Sequence, residues 1–346
     1  MGGEINFSTH LLDWYDRNAR VMPWRIPPNS KKLADPYFVW LSEIMLQQTT
    51  VITVKSYFEK FLSKWPTVFD LASAADKDVM ANWAGLGYYA RARNLLKCSR
   101  IIVDNYGGEF PQCYDQLIQL PGIGPYTASA ILSIAFSKPY AVLDGNVERV
   151  MSRYYNISEP LPMSKGLLQS LAQSNLSSLR PGDHNQAIMD LGATVCTPKK
   201  PDCKVCPVGL NCRVKFSGDP ELLPKKSPKK VKPLKFGSLF IGFDAKAGYL
   251  LERRVENGLL GGMLGWPSTD WSEFSNSIPP IRANWVEVPG KVKHAFTHFN
   301  LELSVFKAAI NTAQKPYFFI SAADFNANDL PTVMRKAHDL YLNSRK

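Results

Sequence analysis

Long apolar runs are missing from this 346-residue chain: the longest are stretches such as Ala130 to Phe136, far below the ~20 residues that cross a bilayer. The opening Met-Gly-Gly-Glu-Ile-Asn lacks the basic start and apolar stretch of a secretory leader, and Asn6 stands where a myristoylation pattern needs Ser or Thr. The expectation is a soluble, cytoplasmic chain with no membrane partner. Acidic side chains are in deficit, 30 against 41 Lys and Arg, for a net charge of +11. A surplus of that size suits a polyanion, nucleic acid before an anionic membrane surface, because no basic amphipathic helix stands out. Charge alone leaves a merely soluble basic protein equally open. Cysteine is scarce as well, with six in all.

What is present is ordinary globular material, 45% apolar and 21% charged, which excludes a disordered or fibrous chain. At about 150 residues per domain, the length suggests two domains. From Asn6 to about Arg213 the apolar residues recur three and four apart, as in Val51, Val54, Phe58, Phe61 and again in Ile131, Leu132, Ile134. Asp35-Pro36 reads as an N-cap with proline at the first helical position, opening a helix through Trp40, Glu43 and Gln47. This part, 1–216, is expected to be all-α. Residues 217–236 read as an extended linker, since Ser217 to Lys235 holds four prolines and six lysines. Beyond it the pattern turns to short strands: Ser238–Phe243 and Tyr249–Glu252 around an Asp-Ala-Lys-Ala-Gly turn, then Phe299–Ala308. A helix over Leu330–Leu342 closes a smaller α+β domain, 237–346.

Four of the cysteines crowd into one segment, Cys196-x6-Cys203-x2-Cys206-x5-Cys212. A reducing compartment argues against disulfides, so the quartet reads as metal ligation. A four-cysteine zinc site and a [4Fe–4S] cluster compete. Zinc modules usually bring paired Cys-x2-Cys knuckles, and the single pair here leans toward iron–sulfur without excluding zinc. Cys98 and Cys113 stand apart and read as core or half-buried residues.

Leu120-Pro121-Gly122-Ile123-Gly124 lies between two helical patterns. Its glycines permit a tight turn whose amides, at the start of a helix, can hold a phosphate without reading bases. With Val142-Leu143-Asp144-Gly145-Asn146-Val147 and then the cysteine quartet, the order resembles the helix-hairpin-helix DNA glycosylases that carry an iron–sulfur cluster. The endonuclease III branch of that superfamily has a lysine nucleophile two residues after the last hairpin glycine; here Tyr126 stands there. Pro23-Trp24-Arg25, the segment Trp40 to Thr49, Gly85-Leu86-Gly87-Tyr88-Tyr89 and Asn185-Gln186-Ala187 are similar to the other branch, the MutY-type adenine DNA glycosylases.

The chemistry can be argued beside the resemblance. Releasing adenine from deoxyribose needs a proton on the purine and a negative charge beside the developing oxocarbenium ion. Glu43, among Trp40, Ile44 and Leu46, suits a buried general acid, and Asp144, at a helix start, suits the anion. The resemblance assigns those same roles and gives Tyr126 and Asn146 supporting parts around the sugar. It places Trp24, Arg25 and Gln186 around the adenine, and sets Gln48 and Tyr88 to wedge into the duplex while the base flips. Gly122 and Gly124 are the hairpin's DNA contacts. Cys196, Cys203, Cys206 and Cys212 would hold one [4Fe–4S] cluster per chain.

Residues 237–346 resemble the Nudix-like domain with which this branch recognises 8-oxoguanine opposite the adenine. Gly258 to Pro267 sits at the glycine-rich loop, but no Glu lies six residues after Gly258, Gly261, Gly262 or Gly265, so diphosphate hydrolysis is not expected. Phe296-Thr297-His298 stands where the family's lesion-reading loop has Phe-Ser-His. The resemblance therefore implies a helical glycosylase fold with an iron–sulfur loop plus a Nudix-like α+β domain. It implies a monomeric, monofunctional enzyme of base excision repair acting on A:8-oxoguanine and A:G pairs in double-stranded DNA, nucleoid-associated if bacterial. The competing readings are an endonuclease III-like or thymine-mismatch glycosylase, and a non-catalytic iron–sulfur DNA-binding protein.

Overall fold

The computed structural model describes residues 7–30, 32–228, 231–255, 258–275 and 277–344. The chain divides into two compact units, Met1–Pro228 and Lys229–Lys346. Among the described residues, no helix is long and apolar enough to cross a membrane.

The first unit is helical: α1 (Phe7–Asn18), α2 (Pro36–Leu46), α3 (Val51–Lys64), α4 (Val68–Ser73), α5 (Asp76–Trp83), α6 (Ala90–Tyr106), α7 (Tyr114–Leu117), α8 (Pro125–Phe136), α9 (Gly145–Tyr155), α10 (Lys165–Asn175), α11 (Pro181–Thr194) and α12 (Arg213–Ser217). Helix α2 starts where the sequence places it: the Asp35 side chain accepts from Tyr37 N, and Pro36 fills the first turn. It has almost no polar face, and Tyr37, Val39, Trp40, Leu41, Ile44 and Met45 are all buried. A helix apolar all round must lie inside, and α2 packs along the equally apolar α8. One core gathers around Trp40, Phe58, Phe61 and Trp83, a second around Leu11, Tyr15, Met151 and Leu191. Helix α8 serves both, with Ala128, Ile131 and Leu132 in the first and Ala130 in the second.

The turn before α8 needs its glycine at one position. Gly122 has φ +80°, a left-handed conformation, and an added Cβ would press on Asn94 at 3.1 Å. Leu120 and Ile123 anchor the turn in the core, and Gly124 is the N-cap residue of α8.

The second unit is a six-stranded sheet: β1 (Leu234–Asp244), β2 (Gly248–Arg253), β3 (Leu264–Gly265), β4 (Val286–Ala295), β5 (Asn300–Ala309) and β6 (Tyr317–Ile320). The order is β3-β2-β1-β5-β4, with β6 also on β2. Strands β1 and β5 run parallel from Leu234↔Asn300 to Phe243↔Ala309; the other pairs are antiparallel. Alternation buries Leu301, Leu303 and Val305 on one face. Helix α13 (Thr332–Asn343) covers it with Val333, Met334, Ala337 and Tyr341.

Two expectations change. The 217–236 stretch is engaged at both ends rather than extended throughout. Leu223 is buried, its carbonyl accepts from Arg153 Nε at 3.0 Å, and Leu161 exchanges backbone bonds with Lys225 and Ser227. At the other end β1 already begins at Leu234. One buried apolar side chain, Leu223, and the backbone bonds to Leu161 outweigh its composition. Cys113, read as core or half-buried, is exposed, whereas Cys98 is buried.

A pair of glycine substitutions should separate strain from chain entropy. Gly248→Ala places a methyl 2.0 Å from the Ile320 carbonyl oxygen at φ +94°. It should lower stability by more than about 1 kcal/mol. Gly166→Ala meets nothing within 4 Å inside α10, and should raise stability by roughly 0.4–1 kcal/mol. Urea unfolding of both variants checks the signs.

Candidate active site

A cavity of about 370 Å³ opens where the two helical cores meet. Trp24, Arg25, Glu43, Tyr126, Asp144, Asn146 and Gln186, all chosen from sequence, line it together with Arg20, Gln47 and Met189. They arrive from the segment after α1, from α2, α8, α11 and the start of α9.

Glu43 is only 7% exposed. Burial pushes its carboxyl up from 4.5 to about 7, against the opposing pull of a Tyr126 hydrogen bond and the Arg25 charge; Asp144 pushes further up. Burial likewise drives the Tyr126 phenol well above its ordinary range, helped by the neighbouring carboxylates Glu43 and Asp144. Its hydroxyl lies 3.3 Å from Met189 Sδ.

Asp144 is the N-cap of α9. Its Oδ1 accepts from Asn146 N at 2.9 Å and Val147 N at 2.8 Å, and its Oδ2 from the Asn146 amide at 2.7 Å. Three N–H donors and a helix N-terminus thus converge on one carboxylate. Arg149 fixes Asn146 in turn: it donates to Asn146 Oδ1 at 2.9 Å, to Gly192 O at 2.6 Å and to Cys196 O at 2.7 Å. Gly192 must lack a side chain, because a Cβ there would lie 2.6 Å from Asn146 Cβ.

Sequence reasoning missed the group that orients Arg25. Asp190 on α11 is completely buried. Its oxygens take Arg25 Nη1 at 2.8 Å, Arg20 Nε at 2.6 Å and Arg20 N at 3.0 Å. Burial works against the Arg25 charge, but Asp190 more than offsets it and raises its pKa. The available clue was an aspartate inside the apolar stretch Ala187–Leu191; its partners lie far away in sequence and left no local trace.

Gln48 and Tyr88 lie outside the cavity wall, both exposed, on the loops after α2 and before α6. The four cysteines line a separate small pocket with Arg153, whose Nη1 lies 3.4 Å from Cys196 Sγ. In the second unit Phe296-Thr297-His298 forms the β4–β5 hairpin tip, closed by Phe296 N donating to Phe299 O at 2.9 Å. Phe296 packs on Phe299, Trp271 and His294, while Thr297 and His298 are exposed.

Residues 41–172 match the HhH-GPD superfamily of base excision DNA repair proteins, and residues 239–340 match the NUDIX domain. The human adenine DNA glycosylase is 34% identical over 97% of this chain and 74% of its own length. The chain belongs to the adenine DNA glycosylase family. A second member, from Buchnera aphidicola of Acyrthosiphon pisum, is 37% identical over 86% of this chain and 85% of its own. Among solved structures, a thermostable thymine-DNA glycosylase superposes with TM-score 0.55 at 30% identity, over 60% of this chain and 94% of that one. The fold is accordingly a helical glycosylase unit followed by a Nudix-like sheet unit.

The burial of Glu43 has a consequence for stability that is independent of any substrate. Between pH 4.5 and about 7 the folded protein keeps a proton that the unfolded chain releases, so the wild type loses stability as pH rises through that window. Glu43→Gln, which has no proton to lose, should gain on the wild type by roughly 2–3 kcal/mol between pH 5 and pH 8 and scarcely further above it. Denaturant melts at the two pH values test this; a constant difference would mean that Glu43 ionises normally.

Proposed function

We propose that this chain is a monofunctional adenine DNA glycosylase that removes adenine paired with 8-oxoguanine or guanine. The observation carrying the reading is the pair of unlike carboxyls on one cavity: Glu43, buried and holding its proton up to about pH 7, and Asp144, clamped by three N–H donors. An adenine turned out of the duplex enters between Trp24, Arg25 and Gln186, with Gln48 and Tyr88 opening the stack beside it. Glu43 protonates a purine ring nitrogen as the glycosidic bond breaks and its electrons pass to the base. Asp144 stabilises the positive charge growing on the sugar, with Tyr126 and Asn146 holding the surroundings. Water then adds at C1′, and a proton returns to Glu43.

Base release without strand cleavage is supported by what lies at the position of the sister branch's amine. Tyr126 offers only a phenol there, and among the described residues no lysine lines the cavity. Adenine rather than thymine is favoured because the adenine-directed relatives align over both units. The exposed Thr297 and His298 at the hairpin tip are the groups we assign to reading the opposite base, and the Gly122–Gly124 turn the one assigned to the phosphate backbone. We assign the activity to a monomer acting on double-stranded DNA, nucleoid-associated in the cytoplasm if the source is bacterial.

We assign one [4Fe–4S] cluster to the four cysteines. Their pocket is tight around Gly209, where a Cβ would lie 3.1 Å from Cys206 O. The four thiols on one small pocket beside the Arg153 guanidinium fit the donor set of such a cluster. When bound, the cluster supplies a rigid anchor for the loop whose Cys196 carbonyl holds Arg149.

Single-turnover release of adenine from an A:8-oxoguanine duplex tests the function, with T:G and thymine glycol duplexes as controls. Glu43→Gln should cut the rate by about 10²- to 10⁴-fold or more while leaving duplex binding intact, and wild-type release should fall as pH rises through about 7. The product strand should stay whole until alkali is added, and borohydride should trap no adduct; efficient trapping would show that a lysine supplies the amine.

Metal analysis tests the second assignment. Purified protein should be brown with about four irons per chain. Colourless protein with stoichiometric zinc would overturn it.

A further inference from the structure

Arg91, in the first turn of α6, is a cation only 9% exposed, and no carboxylate pairs with it among the described residues. Its guanidinium is spent on backbone. Nη1 donates to Ile44 O at 3.0 Å, Met45 O at 2.8 Å and Gln47 O at 2.5 Å. Nη2 donates to Thr49 Oγ1 at 3.1 Å, Leu86 O at 2.9 Å and Gly87 O at 3.3 Å. The indole of Trp83 and the ring of Tyr88 lie against it at 5.3 and 5.7 Å. The first set of acceptors is the carboxyl end of α2, whose last carbonyls have no partner within the helix. Of the second, Leu86 and Gly87 belong to the loop that leads into α6, while Thr49 belongs to the loop after α2. One planar fork therefore joins two loops that are distant in sequence.

What those loops carry gives the join a purpose. Each holds a non-glycine residue in the left-handed region, Gln48 at φ +59° and Tyr88 at φ +48°. That conformation costs roughly 1–2 kcal/mol per residue, so loops free of constraint would relax. Both side chains are nevertheless exposed, Tyr88 by 61%. Gln47, next to Gln48, lines the cavity that contains Glu43, and Glu43 sits on the helix whose end Arg91 caps.

We propose that Arg91 is a positioning residue for base extraction: it fixes Gln48 and Tyr88 at one spacing, so that the duplex meets preformed tips. This rests on the cavity being the base pocket. Arginine is required because six acceptors are shared between two terminal nitrogens; a lysine ammonium has three donors and no fork.

The test compares two substrates, adenine paired with 8-oxoguanine and adenine opposite an abasic site, where little unpairing is needed. In Arg91→Met, single-turnover release should fall roughly a hundredfold for the paired adenine, but by less than about threefold for the unpaired one, whose unstacking cost is least. Arg91→Lys should recover part of the loss on the paired substrate only. With 2-aminopurine in place of adenine, the fluorescence rise on binding should shrink in the same order. Should Arg91→Met not fold, Arg91→Lys reads the same ratio. Equal losses on both substrates, or an unchanged fluorescence rise, would falsify the proposal. If wild-type protein released no adenine from either duplex, the functional reading would fail instead, and the fluorescence measurement would still judge Arg91.

Discussion

Glu43 sits on a helix with scarcely a polar face, and an ionised carboxylate has no favourable place there. Much of the first unit follows from that constraint. Helix α2 must be enclosed on all sides, which takes the first core and the second apolar helix, α8, that packs along it. The nearby Arg25 charge would pull the proton off Glu43 if it stood alone. Asp190 neutralises it from behind, and Asp190 in turn is tolerable without water only because two arginines and a backbone amide saturate its oxygens. Removing Asp190 leaves the buried Arg25 charge uncompensated, which is the costly way to break such a network.

A good part of this was legible in the sequence. The Asp35-Pro36 cap, the apolar period of α2, the Leu120–Gly124 turn and the Asp144 cap are all local patterns, and the structure places each where the residues suggest. The strands at 238–243, 249–252 and 299–308 were visible for the same reason, as alternation between turn residues. The likeness to known glycosylases added which side chains meet at the cavity; periodicity alone would have left Glu43 a solvated helix edge.

What was not legible is long-range. Asp190 meets Arg20 and Arg25 across most of the unit's sequence, and Arg91 meets Ile44 to Thr49 across three intervening helices. An arginine whose partners are backbone carbonyls leaves no complementary residue type to notice. Gly192 looks like any helix glycine until Asn146 is seen against it. The lysine- and proline-rich stretch misled in the opposite direction: its composition describes a solvated strand of chain, while single apolar residues such as Leu223 decide where it docks.

The parallel pairing of β1 with β5 sets an order of events during synthesis. Strand β1 is a central strand with a run of buried residues from Gly237 to Ile241 and beyond, yet one of its two neighbours is made only after most of the unit has left the ribosome. Until then it offers a bare, apolar edge to any passing chain, and non-local pairing of this kind forms slowly. The segment just ahead of it carries Pro224, Pro228 and Pro233 among Lys225, Lys226, Lys229, Lys230 and Lys232. Charge and proline beside an aggregation-prone strand are the features that oppose edge-to-edge pairing, and this chain carries them directly ahead of β1.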